Sequence, residues 1–129
     1  MSREEEEERL LKRSREFLET AKYQIDKGFY DLAAFSLEQA LQLFLKARLL
    51  SEGVEYPRTH SVRALLEILS EVVNEGKKAV VKGALEKYLM ELSVLEDAYI
   101  TSRYIMRDFS RQEVEKLVKA VKEIMRDVA

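Results

Sequence analysis

Between Asp31 and Ser51 the chain carries apolar residues on nearly every side of a helical wheel, among them Leu32, Ala33, Ala34, Phe35, Leu37, Leu41, Phe44, Leu45 and Leu49. A helix of this kind is stable only when other elements cover it on several sides, so the segment predicts the central member of a helical bundle. The rest of the chain agrees with that. Four glycines and one proline leave few turns, and the abundance of Leu, Glu, Lys, Arg and Ala favours helix throughout. At 129 residues and 47% hydrophobic, the chain has material for one core and the length of one domain, spanning 1–129.

Helix boundaries follow from spacing and caps. From about Glu4 to Lys27, Leu10, Leu11, Phe17, Leu18, Ala21 and Ile25 recur at three- and four-residue steps, and Gly28 ends the helix. Asp31 is the expected N-cap of the central helix. Gly53 and the sole proline, Pro57, mark Glu52 to Arg58 as a loop, after which Thr59 is the expected cap of a helix carrying Val62, Leu65, Leu66, Leu69, Val72 and Val73. A break is expected at Asn74 to Lys78, then a fourth helix over about Ala79 to Arg107. Ser110 with Glu113 three residues on forms a capping box for a last helix lined by Val114, Leu117, Val121 and Ile124. The predicted fold is all-α, an up-and-down antiparallel bundle of four to five helices.

Composition excludes much chemistry. Without cysteine there are no disulfides, thiolate metal sites or thiol nucleophiles, and one histidine, His60, cannot supply a histidine metal cluster or a pair of Glu-x-x-His motifs for a di-iron bundle. The four glycines stand apart, so no phosphate-binding loop of the Gly-x-x-x-x-Gly-Lys type exists. No cofactor and no metal are expected. A net charge of −2 gives no global field for DNA. The charged N-terminus does not read as a signal peptide, and no apolar run is long enough to span a bilayer, so a cytoplasmic protein without membrane association is expected.

What remains is polar residues where the helical pattern calls for apolar ones, because an unpaired buried polar group costs about 1–3 kcal/mol. Gln39, Gln42 and Lys46 share one face of the central helix, and Tyr99, Arg103 and Tyr104 lie close together on the fourth. If the two groups meet, they form either an internal polar network or a groove for an anion or a base, since guanidinium forks onto phosphate and tyrosine rings stack on bases. The network is the plainer reading. His60, near a helix start and between Arg58 and Arg63, reads as a surface or helix-start residue rather than a ligand.

The order of these pieces resembles the HEPN domain family, the higher-eukaryote and prokaryote nucleotide-binding domain. The resemblance rests on Asp31-Leu-Ala-Ala-Phe-Ser-Leu-Glu-Gln39-Ala40, Lys46-Ala47, Thr59-His60-Ser61 before Leu65-Leu66, and Tyr99 followed by Arg103-Tyr104, over about Ser14 to Met125. It implies a homodimeric helical bundle that partners a minimal nucleotidyltransferase in a two-component, toxin–antitoxin-like system. Many members are metal-independent ribonucleases whose Arg is followed, after four to six residues, by a His. Arg103 matches that Arg, while Asp108, Phe109 and Ser110 fill the positions open to the His, and Gln42 stands where the family's acidic residue on the central helix is expected. The resemblance therefore points to a module with no catalytic residues that binds a nucleotide or RNA through Arg103, Tyr99, Tyr104, Lys46 and Gln39. The alternatives are a ribonuclease toxin using Arg103 with a degenerate motif, or a structural dimerisation protein.

Overall fold

A computed structural model describes residues 2–104 and 108–129, with side chains described outside 101–107. Among the described residues there are six helices: α1 (Arg3–Asp26), α2 (Tyr30–Ser51), α3 (Val62–Val72), α4 (Glu75–Lys87), α5 (Leu89–Tyr104) and α6 (Arg111–Asp127). The expected all-α bundle is there, with one helix more than the upper expectation.

The first two helices owe their ends to local chemistry. Ser2 accepts from the Glu5 backbone N–H at 3.1 Å, and Glu4, Glu5 and Glu6 place negative charge at the positive end of the α1 dipole. Gly28 and Gly53 each hold a left-handed backbone, with φ of 79° and 81°, just past the ends of α1 and α2. Each closes a paired motif: Gly28 N–H reaches the Ile25 carbonyl and Phe29 N–H the Gln24 carbonyl, and Gly53 and Val54 repeat this on Leu50 and Leu49. The α1 and α2 hairpin is pinned inside by Ser14 Oγ donating to the Ala40 carbonyl at 2.6 Å and by Ser36 Oγ donating to Gln24 Oε1 at 2.7 Å.

As its composition demands, α2 is central, packing on α1, α3, α5 and α6. Leu37, Leu41, Leu45 and Leu49 are fully buried along one of its stripes, and α3, α5 and α6 meet them with Leu65, Leu66, Leu92, Leu95 and Ile124. Removing such a side chain from water stabilises the fold by roughly 1.5–3 kcal/mol. Helix α6 runs alongside α2 in the same direction and is tied at both ends. The Phe109 N–H donates to Asp31 Oδ1 at 3.0 Å, and Arg48 Nε donates to the Val128 carbonyl at 2.7 Å.

Four local expectations are corrected. Asp31 lies inside the first turn of α2 and spends its carboxylate on Phe109; Phe29 holds the N-cap position without a side-chain bond. The cap of α3 is Ser61, not Thr59: Ser61 Oγ accepts from Ala64 N–H, and Thr59 Oγ1 accepts from Ser61 N–H, one step outside the helix. The helix expected over Ala79–Arg107 is two as far as Tyr104, residues 105–107 lying outside the described ones: the chain breaks at Tyr88, whose buried ring turns toward α6 and donates its hydroxyl to Glu123. The break expected at Asn74–Lys78 narrows to Val73 and Asn74, since Asn74 caps α4 by accepting from Lys77 N–H. The Ser110–Glu113 capping box is formed in both directions.

Candidate functional site

The centre of α2 carries a fully buried carboxylate. Glu38 has 0% of its surface exposed, beside the buried Ala34, Leu37 and Leu41 of the same helix. Its two oxygens are held by neutral amides, Oε1 by Gln39 Nε2 and Oε2 by Gln42 Nε2, each at 2.8 Å. Gln42 in turn accepts from Lys46 Nζ at 3.0 Å. Residues 38, 42 and 46 are one turn apart, and helical side chains lean toward the N-terminus, so each reaches back to the one before it. Lys46 also lies over the ring of Tyr56, 5.3 Å from its centroid, and the Tyr56 hydroxyl donates to Glu6 at 3.4 Å. The ladder thus runs from the core to a surface cleft lined by Arg3, Glu6, Leu50, Glu55 and Tyr56.

On the α3 and α5 side, Glu96 gathers the start of α3. Its Oε1 accepts from Ser61 Oγ at 2.5 Å and from the Arg63 backbone N–H at 3.2 Å, and its Oε2 takes Arg63 Nε and Nη2 at 3.1 and 2.8 Å. One turn further along α5, Tyr99 stacks on the exposed ring of His60, with centroids 4.3 Å apart and planes at 21°, and on Phe35 of α2 at 6.2 Å. A three-ring stack therefore lies one turn along α5 from the Glu96–Arg63 pair.

Electrostatics follow from this placement. Burial pushes the Glu38 carboxyl up to about 7, with the like charge of Glu96 adding to the rise, while the Gln42 and Gln39 bonds and the Lys46 charge work against it. Burial lowers Lys46, and Glu38 partly restores it. At Glu96 burial also acts upward, yet the bonds from Arg63 and Ser61 outweigh it and hold the carboxyl below its ordinary range. Each buried polar side-chain atom among the described residues has a partner. The α2 group thus forms a polar network around Glu38, while the side chains of Arg103 and Tyr104, with which it was expected to meet, lie outside the described residues.

The expected site residues divide. Gln39 and Lys46 belong to the ladder. Tyr99 joins His60 and Phe35 in the ring stack, so His60 is an exposed residue near a helix start, as expected, but also part of the site. Arg103 and Tyr104 continue the α5 backbone, and their side chains lie outside the described residues. Sequence reading missed Glu38, Glu96, Ser61, Arg63 and Tyr56. A signal for Glu38 existed, an acid inside the most apolar helix, one turn before Gln42, where an acidic residue was expected. For Glu96 there was none, since its partners lie 33 and 35 residues away. At the positions of the absent ribonuclease histidine, Phe109 is buried in the core and Ser110 caps α6, while Asp108 is exposed. No group of three metal-ligating side chains occurs among the described residues, and no helix there is long and apolar enough to cross a membrane.

Comparison with known proteins agrees with the fold. No curated protein matches the chain. The crystal structure of TT1696 from Thermus thermophilus is similar with a TM-score of 0.70 and 26% identity, over 95% of this chain and 94% of that one. The crystal structure of ST0689, an archaeal HEPN homologue, is similar in fold with a TM-score of 0.68 and 21% identity, over 99% of this chain and 96% of that one. The HEPN domain model matches residues 7–129, nearly the whole chain and all the elements that build the ladder and the ring stack, and the chain belongs to the HEPN domain family.

Proposed function

We propose that this protein is a nucleotide- or RNA-binding module without ribonuclease activity, acting as a homodimer beside a nucleotidyltransferase in a two-component, toxin–antitoxin-like system. The observation that carries the binding reading is the exposed His60 ring stacked on Tyr99 beside the guanidinium of Arg63. Bases stack on aromatic faces with little sequence preference, and a guanidinium beside such a platform takes the phosphate. The Arg63 side chain is 42% exposed against 16% for Glu96, so the cation lies on the solvent side of the pair. Lys46 and Gln39 belong to the Glu38 ladder on the neighbouring α2, and Arg103 and Tyr104 come from the same helix as Tyr99. The non-catalytic reading is supported by the structural duties of Phe109 and Ser110, which fill two of the three positions where the family's ribonucleases carry histidine.

Fluorescence anisotropy of a labelled single-stranded RNA tests the reading. Wild type is expected to bind without shortening the RNA, and Tyr99→Ala to weaken binding about tenfold or more, the loss of one stacked base at roughly 1–3 kcal/mol. Absence of binding overturns the module, and cleavage that Arg103→Ala abolishes would establish the ribonuclease alternative. Sedimentation alone and with a co-encoded nucleotidyltransferase checks the homodimer and the partner.

A further inference from the structure

Between Leu32 and Ala47 every residue of α2 is buried except Leu32, Phe35, Gln39, Leu43 and Lys46. At about 3.6 residues per turn these positions fall within roughly a quarter of the helix circumference, so the central helix has one open window along its length. The helices packed on α2 leave that window uncovered. Three of its five positions are large and apolar. Leu32 is 53% exposed, and Leu32, Phe35 and Leu43 all stand outside the hydrophobic core that Leu37, Leu41, Phe44, Leu45 and Leu49 share. The window continues onto α1. Glu6, Leu10 and Phe17 share one face of that helix, and Leu10 and Phe17 are half-buried and likewise outside the core. Glu6 meets Tyr56, whose ring lies beneath Lys46, so this face of α1 borders the Lys46 end of the window. A contiguous apolar strip of this kind marks an interaction surface.

The spacing of the window says what fits it. Its steps along the chain are three, four, four and three residues, the same read from either end about Gln39. We propose that a second copy of this chain covers the window, with the two α2 helices antiparallel about a two-fold axis at Gln39. The inference rests on the homodimer of the proposed function and assigns its interface. A two-fold contact requires a self-complementary surface, and this register supplies one. Phe35 packs against the partner's Leu43, Leu43 against the partner's Phe35, and Leu32 against the methylene stem of the partner's Lys46. The charges favour the same arrangement. Lys46 is the one ionisable residue of the window, and a parallel pair in register would set it against its own copy. The antiparallel pair instead separates the two ammonium groups by about 21 Å along the helix axes, from roughly 1.5 Å of rise per residue. Because Phe35 also stacks on Tyr99, the two ring stacks border one seam, their Phe35 positions about 12 Å apart along it.

The chain has no cysteine, so single introduced thiols read the register directly. Gln39→Cys places one thiol from each copy at the axis, and oxidation with diamide is expected to link the protein as a disulfide dimer. Leu32→Cys alone is expected to stay unlinked, because its two copies lie about 21 Å apart along the helices and a disulfide needs Cα atoms within about 7 Å. Leu32→Cys combined with Lys46→Cys restores the link. Sedimentation equilibrium tests the same surface without a cross-link, and serves if Gln39→Cys fails to fold. Leu43→Glu, at a position half-exposed within one copy, is expected to keep the helical circular dichroism of wild type and to weaken the dimer about a hundredfold, tenfold at each of two symmetric contacts. Met90→Glu, at an apolar residue 79% exposed near the start of α5, is expected to leave the dimer unchanged. A dimer that survives Leu43→Glu, dissociates with Met90→Glu, links through Leu32→Cys alone, or fails to link through a folded Gln39→Cys overturns this interface and leaves the homodimer standing. If Leu43→Glu spares the dimer and abolishes co-sedimentation with the nucleotidyltransferase, the window belongs to that partner and the proposal falls. A wild type that is monomeric at every concentration overturns the homodimer, and the interface with it.

Discussion

Glu38 makes the stability of the protein depend on pH. Its folded-state value of about 7 lies above the ordinary carboxyl value of 4.5, so the native state holds a proton that the unfolded chain gives up. That contribution is complete below pH 4.5 and is lost as pH rises through about 7. Denaturant titrations of Glu38→Gln and wild type are therefore expected to differ little at pH 4.5 and by up to about 3 kcal/mol in favour of Glu38→Gln at pH 8, from roughly 1.4 kcal/mol per pKa unit. Equal stability differences at the two pH values contradict this. Glu96 behaves in the opposite sense: held below its ordinary range by Arg63 and Ser61, it contributes stability above that range that fades as pH falls. The two acids shift in opposite senses because complete burial dominates at Glu38, while at the partly buried Glu96 the bonds from Arg63 and Ser61 outweigh it.

At the scale of elements, turn chemistry was the most legible part of the sequence. Gly28, Gly53 and the Ser110–Glu113 box mark real helix ends because their chemistry is local, complete within six residues. Gly28→Ala is expected to cost about 1–2 kcal/mol in urea denaturation, since an L-residue at φ 79° is strained while the surrounding space is open to a methyl group. A neutral effect contradicts the turn assignment. The break at Tyr88 was not legible, because Ala84, Tyr88, Leu92 and Leu95 keep helical spacing straight across it and the Glu123 that Tyr88 reaches lies 35 residues on. Asp31 and Thr59 failed as caps for the same kind of reason. Each had a suitable side chain, but Phe109 lies 78 residues beyond Asp31, and the choice of Ser61 over Thr59 is tied to Glu96 on another helix. The site shows the same division. Gln39, Gln42 and Lys46 could be grouped from spacing alone, whereas the pairing of Tyr99 with His60 and of Arg63 with Glu96 exists only once α3 and α5 are packed.

At the scale of the whole molecule, one helix covered on several sides both builds the bundle and carries the polar seam. Leu41 lies on α2 between the residues of the ladder and is fully buried, so Leu41→Ala is expected to cost about 2–5 kcal/mol, seen as a lower midpoint in thermal or urea unfolding. A cost under about 1 kcal/mol would mean that α2 is less enclosed than described. Because the same helix holds Phe35 under Tyr99 and the fully buried Leu37, Leu41 and Leu45, the core and the proposed binding face are parts of one packing arrangement. Exposed charge also occurs along α1, where a groove is lined by Arg9, Lys12, Arg13 and Arg15 together with Glu5, Glu8 and Glu16, and its cations are the surface to compare against. The most direct test is therefore an NMR titration of the isotopically labelled protein with a short single-stranded RNA. The largest shift changes are predicted at His60, Arg63, Glu96 and Tyr99, and they should vanish in Tyr99→Ala. Changes confined to the α1 groove, or none at saturating RNA, would contradict the assignment of the binding face to α2, α3 and α5.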